Sequence, residues 1–433
     1  MIAALRGLTT RGRCFLAAAL AALLSALIVG ERDLIRVAVL LAALPVLAAI
    51  AVARTRYRLG CTRTVTPDRV QAGSPAQVTL RLENLSRLPS GVMLLEDQLP
   101  YALGSRPRFV LDRLRGRQAS SVTYQVQADV RGRYELGPLS VRLTDPFGLC
   151  ELTRSFISTE KLVVTPVVTP LPPVRIVGER TGSGESRARS VAVHGEDDAA
   201  TREYRYGDDL RKVHWRSTAR VGELMVRREE QPFHSTAAVL LDTRMAAHRG
   251  DGPASSFEWA VGAAASIALH LGRSGYSLHL LTDAGIDVST ASLDGEGALL
   301  DVLAEVRASR LPSLTSAVDR LRRDREGLVI AVVGMLDPDE AARLAAVRAG
   351  GGTGVAVLVD SSDWVGLSAA QRSVAKERYD EIANRLNAAG WRVLRVRHGS
   401  RLDALWPYAA ARPGVALHGV PQPDPVAVTR GAR

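Results

Sequence analysis

Two apolar runs without a single charge lie near the start of the chain, Cys14 to Gly30 (CFLAAALAALLSALIVG) and Val37 to Ala53 (VAVLLAALPVLAAIAVA). Each is about 17 residues long, the lower limit for a helix that crosses the hydrocarbon of a bilayer. Pro45 in the second run is tolerable, since neighbouring helices can satisfy the backbone group it frees. No polar residue recurs at helical spacing, as the exposed face of a soluble amphipathic helix would require. No convincing small-residue cleavage site precedes the second run, which argues against a removed leader. The pattern predicts a membrane hairpin over residues 1–56, with helices at about 14–30 and 37–53 joined by the link ERDLIR.

From Tyr57 to Pro173 the pattern changes to alternation. VTLRLENL and SVTYQVQADV interleave apolar and polar residues, as half-buried strands do. Turn signals at Pro67-Asp68, Ala72-Gly73-Ser74, Leu88-Pro89-Ser90-Gly91 and Arg131-Gly132 separate them. Short strands at this spacing predict a small antiparallel β-sandwich over 57–173, closed by the Pro-rich TPVVTPLPP. Residues 174–234 form a linker, with the polar stretch GERTGSGESRARS, followed by an arginine-rich segment.

Over 235–413 compact apolar runs alternate with helical patterns. TAAVLLDT, YSLHLLTD, GLVIAVVG, GVAVLVD and WRVLRVRHG suit a sheet covered on both faces. FEWAVGAAASIALHLGRSG, ALLDVLAEVRASR, PDEAARLAAVRAG and SVAKERYDEIANRLNAAG are the helices between them. This alternation predicts a mainly parallel, doubly wound α/β domain. Residues 414–433 carry several prolines and few apolar runs, the composition of a disordered tail.

Charge adds an orientation. Arg6, Arg11 and Arg13 precede the first apolar run, and Arg54, Arg56 and Arg58 follow the second, while the link holds Glu31, Arg32, Asp33 and Arg36. Both outer flanks therefore favour the cytoplasm, and the bulk of the chain is expected on the cytoplasmic side of a cell membrane. The net charge of +11 could serve an anionic partner, yet the arginines are scattered along the whole chain, and only three lysines (Lys161, Lys212, Lys376) occur among 56 Lys and Arg. That spread argues against a nucleic-acid surface. The three cysteines, Cys14, Cys61 and Cys150, have no metal-ligand spacing and suggest neither zinc nor a disulfide framework.

The densest local signal is REYRYGDDLRKVHWRSTARVGELMVRREEQP, Arg202 to Pro232. From Arg202 to Arg228 it holds eight basic and four acidic residues, with Tyr204 and Trp215 among them. Its Arg202, Glu203, Tyr204, Gly207, Asp208, Arg211, Trp215, Ala219 and Arg220, with Ser217 and Thr218 filling the small positions, resemble the signature of the domain of unknown function 58 family. RGRYELGP (Arg131 to Pro138) and DPFGL (Asp145 to Leu149) resemble two further elements of that family, in the same order.

The resemblance implies a membrane-tethered protein ending in a von Willebrand factor A-like domain, and no particular activity. It also implies a partner, a MoxR-type AAA+ ATPase, with a role in assembling or remodelling complexes. The A-like domain ordinarily holds a divalent metal through an Asp-x-Ser-x-Ser loop after its first strand. Here that loop is Asp242-Thr243-Arg244-Met245-Ala246. Asp242 is kept, but Arg244 and Ala246 replace the two hydroxyl ligands, and a cation beside an arginine is unfavourable. Asp283, after the next strand, could add a carboxylate. No tight metal site and no cofactor are expected.

No nucleophile elbow occurs, and the glycine run 350–354 precedes a strand and lacks the Lys of a phosphate loop. The chain is thus expected to be a non-enzymatic, membrane-anchored adaptor or scaffold. Asp208 and Arg220 would brace the fold, and Arg227 and Arg228 would face a partner, since adjacent arginines on a strand cannot both point inward. Two other classes stay open on sequence alone: a metal-dependent hydrolase using Asp208, Asp209 and His214, and a nucleic-acid binder using the same arginines.

Overall fold

The computed structural model describes residues 7–54, 59–87, 89–144, 147–174, 176, 201–204, 213, 215–227, 236–289, 295–324, 327–350 and 352–410. The sequence expectations for 178–190 and for the tail lie outside them. The chain divides into two units, one made of 1–167 with 300–305 and the other of 168–299 with 306–433.

The first unit begins with α1 (Thr10–Val29) and α2 (Arg32–Arg54), two helices long and apolar enough to cross a membrane. They are longer than the apolar runs, and the expected six-residue link shrinks to Gly30-Glu31 because Arg32 to Arg36 join α2. Gly30, at φ 77°, caps α1 in the left-handed conformation and donates its N–H to Ala26, a geometry that suits glycine. Thr9 caps the other end, accepting a hydrogen bond from Gly12 N–H.

Strands follow from β1 (Leu59–Thr66), β2 (Arg69–Gln71) and β3 (Pro75–Asn84) to β4 (Met93–Asp97), β5 (Arg108–Leu111) and β6 (Ala119–Gln127). β7 (Gly132–Leu136), β8 (Leu139–Thr144), β9 (Glu151–Phe156) and β10 (Glu160–Thr165) complete the set. They form sheets ordered β1-β3-β6, β2-β10-β7 and β5-β4-β8-β9. Ala76, Val78, Leu80 and Leu82 alternate along β3 and share one face. The first two pack with Leu136, Leu162 and Val164, the last two with Met93, Leu95 and Val141. The sandwich departs from the antiparallel expectation at one pairing, β2 with β10, which is parallel.

Of the DPFGL motif, Phe147 to Leu149 are described, and they meet the hairpin. Thr9 N–H donates to Leu149 C=O at 3.0 Å, and Thr9 Oγ1 donates to Gly148 C=O at 2.6 Å. Leu8 and Cys150 form an antiparallel bridge, and Leu149 and Cys150 are buried with Phe15, Leu44, Ala48 and Ala49. Gly12 permits this approach, because a Cβ there would stand 2.3 Å from Leu149 C=O. RGRYELGP closes over a buried ion pair. Arg63 reaches Asp97 at 2.5 Å with both side chains buried, Tyr124 donates to the same carboxylate, and Gly137 leaves room for the guanidinium.

The second unit holds β11 (Thr201–Glu203), the short helix α3 (Trp215–Val221), β12 (Met225–Arg227), β13 (Thr236–Leu241) and α4 (Ser256–Arg273). β14 (Ser277–Thr282) and β15 (Asp287–Ser289) follow, then α5 (Glu296–Glu305, whose residues from Leu300 on belong to the first unit), α6 (Thr315–Asp324), β16 (Leu328–Val333) and α7 (Pro338–Ala346). β17 (Thr353–Val359), α8 (Ala369–Ala388), β18 (Arg392–Val396) and the single turn α9 (Leu402–Leu405) close the series.

Six strands pair in the order β15-β14-β13-β16-β17-β18. All pairings are parallel except β14–β15, a hairpin at the edge. β13, β16 and β17 are buried almost throughout. Helices α6, α7 and α8 pack on the face carrying Ala238, Leu240, Ala331 and Leu358. The chain leaves β13 toward β14 on one side and reaches β16 on the other. The C-terminal ends of β13 and β16 therefore flank a topological switch point, where open α/β sheets leave a crevice.

Candidate functional site

That crevice is occupied from within. Asp242 follows β13, Asp283 follows β14, Gly334 follows β16, and Glu340 sits at the third position of α7. Arg244 N–H, Nε and Nη2 donate to Asp242 at 3.1, 2.9 and 2.9 Å, and Nη1 pairs with Glu340. Asp242 is fully buried and Arg244 is 3% exposed. Asp242 also accepts from Gly334 N–H at 3.3 Å. A Cβ on Gly334 would stand 2.4 Å from Ala247 C=O, so glycine lets the 242–247 loop lie against the end of β16.

Asp283 does not meet Asp242. It accepts from Thr243 N–H and Oγ1 at 2.6 and 2.8 Å and from the Ser309 hydroxyl. The two carboxylates are thus committed to separate partners. Among the described residues no cluster of three or more His, Cys, Asp or Glu is placed to hold a metal. Burial by itself would lower the Arg244 pKa, but hydrogen bonds and charges from Asp242 and then Glu340 raise it above its ordinary value. The guanidinium is therefore a permanent cation. It stands among carboxylates as a divalent ion would, but with fixed donors in place of open coordination positions.

His248 completes the loop. Its Nε2 lies 2.9 Å from Asp242 C=O and its Nδ1 3.3 Å from Ser256 Oγ. A neutral ring protonated at Nε2 donates to the first and accepts from the second. Burial lowers its pKa, and Arg244 adds to the effect against the opposing pull of Asp242.

The arginine-rich signature makes a small module of its own. β11 pairs antiparallel with β12, placing Arg202 opposite Val226 and Glu203 opposite Met225. Tyr204 N–H donates to Leu224 C=O, and Val213 bridges Val226. Met225 N–H donates to Thr218 Oγ1 at 3.0 Å, fastening α3 to β12. Gly222, at φ 87°, ends α3 by donating to Thr218 C=O.

Trp215, Ser217, Ala219 and Arg220 all lie on α3, which has no buried residue, and Trp215 is 71% exposed. Arg220 is exposed in the last turn, where its charge complements the helix dipole, and Asp208, expected to brace the fold with it, lies outside the described residues. Arg227 ends β12 opposite Thr201. Gly207, Asp208, Asp209, Arg211, His214 and Arg228 lie outside the described residues.

Glu340, Ser309, Gly334 and His248 escape the sequence analysis. A signal for Glu340 exists: Asp337-Pro338-Asp339-Glu340 is a capping box, with Glu340 N–H on the Asp337 side chain and Asp337 N–H on the Glu340 side chain. That box places a carboxylate at the head of the helix after β16.

Residues 200–364 match the model of the family described as protein of unknown function DUF58. Among curated proteins, the uncharacterized protein YeaD of Bacillus subtilis (strain 168) is 26% identical over 212 residues, 48% of this chain and 51% of YeaD. The chain thus spans about half the length of the curated relative it matches. Among solved structures, the CARDB domain of a Pyrococcus furiosus protein in complex with di-metal ions is 14% identical, covering 25% of this chain and 90% of that one, at a TM-score of 0.19. The ApaA protein of Bordetella pertussis is 13% identical over 25% of this chain and 94% of its own, at 0.20. Likenesses this slight bear on neither fold nor function.

Proposed function

With residues 200–364 in the DUF58 family, we propose that the chain is a membrane-anchored adaptor whose α/β domain binds a protein partner and carries out no chemistry. The observation behind this is the Arg244 guanidinium lodged between Asp242 and Glu340. It fills the one position where this strand order offers a ligand crevice, and it neutralises the carboxylates that would serve as metal ligands or as acid and base. The doubly wound sheet, with Asp242 directly after its first strand, supports a von Willebrand factor A-like domain whose metal has been replaced by a side chain. The hairpin holds the chain in the membrane, and its arginine flanks support a cytoplasmic bulk.

The docking face in this reading is α3. Trp215 is exposed there beside Arg216 and Arg220, and exposed Trp and Arg are the residues that dominate protein interfaces. A MoxR-type AAA+ ATPase is the partner class that the family resemblance suggests. The test is capture from detergent-solubilised membranes with full-length protein and with Trp215→Ala. The variant is expected to keep its melting temperature, because Trp215 is exposed, and to lose about ten-fold or more in partner recovery, as a ~2 kcal/mol interface anchor implies. Equal recovery with both proteins rejects α3 as the docking face. Turnover of a phosphoester or peptide substrate that is abolished by Asp242→Asn would reject the adaptor.

A further inference from the structure

The hairpin end of the β-sandwich carries an arginine-rich rim that neither the signature nor the adaptor role uses. Three connections gather at that end. Between β8 and β9, Gly148 to Cys150 lie there against the start of α1 and the last turns of α2. Leu143 pairs with Met93 and Met93 with Leu111, so the segments 85–92 and 112–118 leave their strands at the same end.

These two segments are knitted together. Ser90 N–H donates to Leu114 C=O at 2.8 Å, and Leu114 N–H donates to Ser90 Oγ at 2.9 Å. The buried Asn84 side chain donates to Leu114 and Arg115 carbonyls, and Arg117 N–H donates to Asn84 C=O. Gly116 lies so close that a Cβ would stand 2.4 Å from Arg87 C=O.

The rim thus presents Arg87, Arg113, Arg115 and Arg117, all exposed, with Asp112 as the acid among them. Arg117 holds φ 61°, a conformation that a long side chain rarely adopts. Glycine or asparagine would sit there with less strain, which points to a use for the charge. Leu85 is 53% and Phe147 65% exposed at the same end. Basic side chains interspersed with outward apolar ones form the composition of a surface that lies on anionic lipid headgroups.

We propose that this rim is a membrane-contact surface: its arginines bind the phosphates of anionic lipids in the leaflet that the hairpin enters, while Leu85 and Phe147 reach the headgroup boundary. The proposal rests on the hairpin spanning a bilayer. Continuity selects the occupant, since the rim surrounds the end of the sandwich from which α1 and α2 depart. The sandwich would then be held flat on the membrane by contacts on several sides rather than hung from one tether.

The test is hydrogen–deuterium exchange on the full-length chain in nanodiscs of phosphatidylcholine alone or with phosphatidylglycerol. Amides of 112–118 should exchange several-fold more slowly in the anionic discs. The slowing should vanish at high salt and in Arg113→Gln/Arg115→Gln/Arg117→Gln, and persist in the corresponding Lys variant. Unchanged protection at Val78 to Leu82 certifies that the variants are folded. Equal exchange of the rim in both discs, with the hairpin protected, overturns the proposal. So does equal slowing by inorganic phosphate in neutral discs, which would mean a free anion. A hairpin that exchanges freely in both discs removes the membrane reading itself.

Discussion

His248 shows how one side chain records its surroundings. The buried ring is satisfied on both nitrogens only while neutral, and its pKa lies below the ordinary 6.5. The unfolded chain takes up the proton at about 6.5, so protonation favours unfolding. The stability that His248 contributes is complete above pH 6.5 and is lost as the pH falls through that value toward the lower folded pKa. Between about pH 7.5 and pH 5.5 the melting temperature of the wild type should fall more than that of His248→Asn. Parallel slopes would mean that the ring titrates normally. No spacing in the sequence announces this residue, because its partners are Asp242 C=O and Ser256 and its depression comes from burial. Arg63 and Asp97 are equally silent: each looks like an ordinary polar position on a strand until the packing of the sheet holding β1 against the sheet holding β4 brings them together.

At the scale of elements, the Arg244 guanidinium is the cation that neutralises the carboxylates at the loop after β13. Arg244→Ala would leave Asp242 and Glu340 buried and unpaired, at a cost of about 3–5 kcal/mol. The expected outcome is a large drop in melting temperature with Arg244→Ala. Calorimetry of the full-length wild type with Mg²⁺ and Mn²⁺ should give no tight binding. A tight site abolished by Asp242→Ala would show that Arg244 can swing aside. Sequence periodicity anticipates the five parallel strands and four of the helices here, because burial writes itself as compact apolar runs. It misses β15, which is three half-buried residues at an edge, and α6, whose apolar positions are sparse. The departure of the metal loop from its hydroxyl ligands was legible at Arg244 and Ala246. The arginine's second partner was not, since Glu340 lies 96 positions away.

For the molecule as a whole, the proposed membrane hairpin with its arginine flanks in the sequence carries a topology prediction. Reporter fusions at Arg433 and in the link near Asp33 should give cytoplasmic activity at the first and extracytoplasmic activity at the second. The opposite pattern would reverse the orientation and with it the side on which any partner is met. The two-residue turn at Gly30-Glu31 leaves α1 and α2 antiparallel neighbours, so the start of α1 and the end of α2 lie at the same end, and Leu149 and Cys150 pack there.

The strand-like contact between Leu8 and Cys150 also sets an order for biosynthesis. Thr9 and Gly148 are 139 positions apart, so at ~5–20 residues per second the first waits roughly 7 to 30 seconds for the second to be made. Both apolar helices have left the ribosome well before that. On the membrane reading proposed above, the hairpin would enter the bilayer without its sandwich, and the sandwich would fold onto a hairpin already in place. A substitution that delays the sandwich, such as a lost Arg63–Asp97 pair, should leave the amount of membrane-inserted chain unchanged and show itself later, as inserted protein whose N-terminal arm remains open to protease.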